Sequence, residues 1–120
     1  MVPSTGNRVT LNGARLDKAA RNQVVFREVN ERIAELTGLI NETGFNLFVC
    51  ECSDSGCAES LEITTSEYEA VRGDSTRFVI VNGHQVPEVE RVVDGNGRFI
   101  VVEKTGHAAE IADADDPRQP

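Results

Sequence analysis

Three cysteines fall within eight residues, Cys50-Glu51-Cys52-Ser53-Asp54-Ser55-Gly56-Cys57, and the chain has no others. A C-x-C-x4-C cluster is compact enough to share one soft metal ion, and one histidine from elsewhere would complete a tetrahedral Cys3His site of the structural zinc type. The fold is thereby constrained to bring the turn at 50–57 against one of only two histidines, His84 or His107. In extended backbone, Cys50 and Cys52 present their side chains on one face with Cα atoms roughly 6.5–7 Å apart, a span that two sulfurs ~2.3 Å from one ion bridge with a slight kink. Ser53-Asp54-Ser55-Gly56 then folds Cys57 back, with Gly56 suited to left-handed backbone and the turn amides available to the thiolates.

His84 follows Asn82-Gly83 at the end of a predicted strand, whereas His107 lies beside an Ala- and Asp-rich C-terminal stretch. A closed site needs a ligand on ordered backbone, so the expected set is Cys50, Cys52, Cys57 and His84. Cysteines can also be small buried hydrophobes. Three so close together, bracketed by Glu51, Asp54 and Glu59, argue against a core role. Neighbouring negative charge also raises thiol pKa, which opposes an activated nucleophile. No other stretch has the form of a catalytic motif, and four protein ligands leave a zinc ion no open position for water, so no enzymatic activity is expected.

The 120 residues amount to one domain, 39% apolar, with five Phe, one Tyr and no Trp. A core built mainly from Val, Ile and Leu at this size is thin. Structural zinc contributes roughly 10–16 kcal/mol in small domains, against the ~5–15 kcal/mol total stability of ordinary ones, so a bound ion would matter here. Residues 1–32 carry six basic side chains against three acidic ones, while the rest of the chain carries six against seventeen. A net charge of −8 repels phosphate over most of the surface, which confines any nucleic-acid contact to the basic N-terminal segment and makes another protein the expected partner. The start of the chain has no apolar signal region and no run of 18 apolar residues occurs, so a cytoplasmic protein without membrane contact is expected. An odd number of cysteines fits a reduced compartment and a metal better than a disulfide framework.

Residues 1–14 read as a flexible tail, 15–105 as one α+β domain and 106–120 as a flexible acidic tail holding at most a short frayed turn. Within the domain, Phe26, Val29, Ile33 and Leu36, extended by Ala19 and Ile40, recur at steps of three and four and predict a long helix packed through that stripe on its own sheet. The same stripe could zip two copies together, but two heptads favour a monomer. Glu28 and Arg32 form an i, i+4 pair in the favourable order. Phe45–Cys50 and Leu61–Thr64 read as strands flanking the cysteine knuckle, Ser66 with Glu69 as a capping box for a short helix, and Phe78–Val81 as a third strand. Glu90–Val93 and Arg98–Val102 around Asp94-Gly95-Asn96-Gly97 form the clearest hairpin signal. The expected architecture is a long N-terminal helix on a small, mainly antiparallel sheet with a zinc knuckle between strands.

The spacing Cys50-x-Cys52-x4-Cys57 resembles the zinc knuckle of post-SET segments, in which three cysteines take a fourth ligand from elsewhere in the fold. The CDGSH iron–sulfur family is similar in opening with C-x-C and using three cysteines and a histidine. Its histidine follows the third cysteine within a few residues, where this chain has none, so zinc leads and an iron–sulfur cluster is the alternative. Over residues 21–110 the chain also resembles a family of small uncharacterised bacterial proteins. The matching stretches are Arg27-Glu28-Val29-Asn30-Glu31-Arg32, Cys50-Glu51-Cys52, Cys57, Glu67-Tyr68-Glu69, Arg77-Phe78, Gly83-His84 and Val101-Val102-Glu103-Lys104. That resemblance implies a Cys3His site through Gly83-His84 and implies no activity. The two functions expected are a zinc-stabilised interaction or regulatory module and, alternatively, a redox- or zinc-responsive sensor whose knuckle opens on oxidation or metal loss.

Overall fold

The computed structural model describes residues 13–40, 44–54 and 56–118, with side chains of the first helix described over 21–39. Helix α1, Gly13–Ile40, runs 28 residues with no proline to interrupt it. Strands β1 (Phe45–Val49) and β2 (Ser60–Thr64) pair antiparallel, with Phe45 opposite Thr64 and Val49 opposite Ser60, so the cysteine segment is the connection between them. Helix α2 (Thr65–Val71) leads to β3 (Arg77–Ile80), then β4 (Glu90–Gly95), β5 (Ile100–Lys104) and helix α3 (Gly106–Ala114). The last three strands form an antiparallel sheet in the order β3-β5-β4. The expected α+β class is observed, with the strands divided between two small sheets rather than gathered in one.

Strand periodicity places the core on both faces of the three-stranded sheet. Val79 of β3 and Val101 of β5 join Phe48, Leu61, Ile63, Tyr68, Val71 and Phe99 in one cluster, where the rings of Phe48 and Tyr68 stack at 4.9 Å. Phe78, Ile80, Ile100 and Val102, one residue out of phase, join Cys50, Cys52 and Ala112 in a second. In the β4–β5 pairing, Val92 faces Val102 and Asp94 faces Val101, so Val93 is an extra residue in a bulge.

Helix α1 departs most from its sequence pattern. Gln23, Val24, Arg27, Asn30 and Ala34 are the buried positions, whereas Val29 and Leu36 of the expected packing stripe are exposed and Phe26 and Ile33 only half-buried. Ala19 and Ile40 lie outside the described side chains. Polar groups win the inward face because they meet backbone hydrogen-bonding groups of distant segments: the Arg27 guanidinium donates to the carbonyls of Ser75 and Arg77 and lies 3.7 Å from the centre of the Phe78 ring.

Two boundaries also shift. The capping box of α2 is Thr64 with Glu67 and not Ser66 with Glu69: Thr64 Oγ1 accepts from Glu67 N–H at 3.0 Å and Glu67 accepts from Thr64 N–H at 2.9 Å. Starting two residues earlier turns Tyr68 and Val71 inward. The stretch after 106, expected to hold only a frayed turn, forms α3, which buries Ala108, Ile111 and Ala112. Charge complementarity holds this end: Asp115 pairs with Arg21 of α1 at 3.2 Å, Asp116 with the buried guanidinium of Arg72, and Arg118 with Glu31 and Glu69. The expected tail over 1–14 falls mostly on residues outside the described ones.

Candidate metal centre

The first two cysteines extend β1 into the space between the sheets. Cys50 N–H donates to Glu59 O at 3.0 Å, continuing the hairpin, and Glu51 N–H donates to Val79 O at 2.8 Å, tying the same segment to β3. Extended backbone puts Cys50 and Cys52 on one side, each 1% exposed, and Glu51 on the other. Glu51, read from sequence as one of the acids marking a non-core segment, is itself fully buried. Its carboxylate accepts from Val79 N–H at 3.0 Å, Asn30 Nδ2 at 2.9 Å and the Tyr68 hydroxyl at 3.0 Å. Burial pushes its pKa up despite the nearby Arg27 cation and these three donors.

Helix α1 grips this segment through side-chain amides that sequence reasoning passed over. Asn30 acts as a substitute strand partner for Val49, donating to its carbonyl at 2.8 Å and accepting from its N–H at 2.8 Å. Gln23 Nε2 donates to Glu51 O at 3.0 Å. Gln23 and Asn30, seven residues apart with Arg27 between them, trace a polar line along one helical face. That line was the available signal.

Cys57 is returned by an Asp54-centred turn, in which Asp54 Oδ1 accepts from Gly56 N–H at 2.9 Å and Asp54 O from Cys57 N–H at 3.0 Å. Gly56 does not take the expected left-handed backbone. Positive φ occurs instead at Gly83, φ 101°, immediately before His84. A turn closed by His84 N–H to Val81 O at 3.0 Å then swings the imidazole toward the sulfurs. A backbone amide also donates to a sulfur from this side: Val81 N–H reaches Cys50 Sγ at 3.2 Å.

Cys50, Cys52, Cys57 and His84 come together with all four candidate ligand atoms within 4.8 Å of one another, close enough to hold a metal ion. His84 Nδ1 lies 3.6 Å from Cys50 Sγ and 3.7 Å from Cys57 Sγ. These match the edges of ~3.5–3.8 Å of a tetrahedron with bonds of ~2.0–2.3 Å. Glu59 Oε2 sits 3.1 Å from His84 Nε2, so in the neutral imidazole the proton belongs on Nε2 and the Nδ1 lone pair faces the sulfurs. His107 takes no part: it is exposed on α3, 3.0 Å from Glu110.

Titration within the cluster is shared. Cys52 is drawn down to about 5, first by the hydrogen bond from Cys50 and then, against burial, by His84. Cys50 is correspondingly raised by that bond and by burial, and Cys57 is raised chiefly by burial. His84 is raised chiefly by its hydrogen bond to Cys52. The metal-free cluster thus favours one thiolate and retains protons on the other thiols, which a divalent ion must expel to gain all three sulfurs.

Comparison with protein-family models, with curated proteins and with solved structures finds no match to this chain. No helix among the described residues is long and apolar enough to cross a membrane.

Proposed function

We propose that this chain is a small zinc-binding interaction or regulatory adaptor module in which Cys50, Cys52, Cys57 and His84 hold one structural zinc ion and no catalysis occurs. The convergence of the four ligand atoms within 4.8 Å carries this reading. A full protein ligand set leaves no coordination position for a substrate or water, and three sulfurs with one nitrogen suit zinc. Glu59 behind the imidazole and the Val81 amide on Cys50 are the outer-shell contacts that such a site needs. Another protein is the proposed partner.

Elemental analysis of protein purified without chelator should find one zinc per chain and no iron. His84→Ala should weaken zinc by more than the ~10–100-fold typical of an outer-shell contact, and His107→Ala should leave it unchanged. Absence of a stoichiometric metal, or equal effects of the two substitutions, overturns the assignment.

One asymmetry supports the sensor as the second reading. Cys50 and Cys52 are buried, but Cys57 and His84 are only half-buried. Peroxide could therefore reach the Cys57 side, oxidise two thiolates to a disulfide and be reduced to water, releasing the ion. Prompt zinc release at low peroxide, followed with a zinc-binding dye, favours the sensor; resistance favours the purely structural site.

A further inference from the structure

With its polar residues turned inward, α1 displays an apolar line to solvent: Val25 is 56% exposed, Val29 43%, Leu36 63% and Leu39 83%. Together with Arg32 these positions follow steps of four, three, four and three, the 3.5-residue repeat of a helix–helix seam. Arg32 is its single charged interruption. Among the described residues, Arg32 and the flanking Glu28 and Glu35 make no ion pair, although Glu28 and Arg32 are spaced to pair along the helix.

We propose that the outer face of α1 is a self-association surface, occupied by α1 of a second copy of this chain in antiparallel orientation. A two-fold axis passing between residues 30 and 31 sets Val25 against Leu36 of the second copy and Val29 against Arg32 of the second copy. In that register Glu28, which precedes Val29 on the flank of the seam, meets the same guanidinium, and the two-fold repeats the pair. A parallel pairing would instead stack Arg32 on Arg32. The surrounding charge favours the same face: α1 carries five basic and four acidic residues, whereas the whole chain is at −8, so two acidic copies repel least along this helix. Four apolar side chains per copy form a small interface, so the dimer is weak and concentration-dependent. This surface is independent of the metal-site reading.

Sedimentation equilibrium of the full metal-loaded chain, from micromolar to millimolar concentration, tests it. Wild type should pass from single to double mass. Leu36→Glu should weaken association by more than about tenfold, because a charge from each copy enters the apolar seam. Arg32→Glu and Glu28→Arg should each weaken it severalfold, and the double substitution should restore it, since the pair is re-formed with its signs exchanged. All three positions are exposed, so the fold can be verified by circular dichroism. A single mass at every concentration overturns the proposal and leaves the face to an unlike partner. So does a dimer indifferent to Leu36→Glu, and failure of the double charge exchange overturns the antiparallel register.

Discussion

The two clusters on either side of the three-stranded sheet are held together by different physics. On the Phe48–Tyr68 side, aromatic and aliphatic side chains from β1, β2, α2, β3 and β5 fill the space among themselves. On the Phe78 side, Cys50 and Cys52 take the place of apolar residues and the Arg27 guanidinium covers the Phe78 ring, while Glu51 reaches across to the Tyr68 hydroxyl and Asn30 and Gln23 hold the backbone of the cysteine segment. The first side is held chiefly by area removed from water and contains none of the candidate ligands. The second holds the candidate ligands Cys50 and Cys52, so under the proposed function its integrity is linked to metal binding. On that proposal the same sheet separates a core without ligands from one that includes two of them.

The largest way to break this contrast is to remove the ion. Chelation of wild type or Cys52→Ser should abolish stoichiometric metal and forfeit up to ~10–16 kcal/mol, comparable to or above the stability of the whole domain. Scanning calorimetry should show the melting transition fall far or vanish, with chelator adding nothing to the variant; an unmoved transition would mean that the two sides do not differ.

Phe48→Ala probes the other side, where loss of a buried stacked ring should lower denaturant stability by ~3–5 kcal/mol while the folded protein keeps one metal per chain at unchanged affinity. Loss of metal from the folded variant would merge the two clusters into one unit. Between them stands Asn30→Ala, which removes the grip on Val49 and one donor to Glu51 without touching a ligand. Metal affinity, read by competition with a coloured chelator, should drop ~10–100-fold, and the cobalt-substituted protein should keep its thiolate charge-transfer bands. Unaltered affinity would confine the metal-linked region to the four ligands.

The smallest effect is electrostatic. The hydrogen bond from Arg98 holds the Glu67 carboxyl below its ordinary value of 4.5, reinforced by the Thr64 backbone amide, so its contribution is present above that pH and is lost as pH falls through the folded value. The group is partly exposed, so no more than about 1 kcal/mol is at stake. Glu67→Gln should narrow the stability difference between neutral pH and pH below 4.5 in urea titrations of the metal-saturated protein, and an identical pH dependence would contradict the assignment.

The candidate metal ligands were legible because cysteine spacing is a local property: the segment 50–57 brings its sulfurs together through extended chain and one turn, and Asn82-Gly83 announces the turn that delivers His84. The strands and the β4–β5 hairpin were legible for the same reason, although its turn falls at 96–99 and not at 94–97. The inward face of α1 was not. Its apolar stripe is the stronger periodic signal, yet Gln23, Arg27 and Asn30 are buried because carbonyls and amides at Val49, Glu51, Ser75 and Arg77 need partners that exist only once distant segments meet. Glu51 was likewise read as one of the acids marking a non-core segment, although its neighbours in space, Asn30, Tyr68 and Val79, make it a buried acceptor. The C-terminal stretch was read as a flexible acidic tail, yet Arg21 and Arg72 supply counter-charges to Asp115 and Asp116, and its own Arg118 pairs with Glu31 and Glu69.

What the residues alone determined are the quantities set within a few positions of one another: the cluster of thiols, the turns and the alternation of the strands. Which side of the long helix faces inward and whether the acidic end has a place to dock were decided by tertiary structure. Each depends on pairing a polar or charged group with a complement more than a dozen residues away, and short-range periodicity carries no record of such partners.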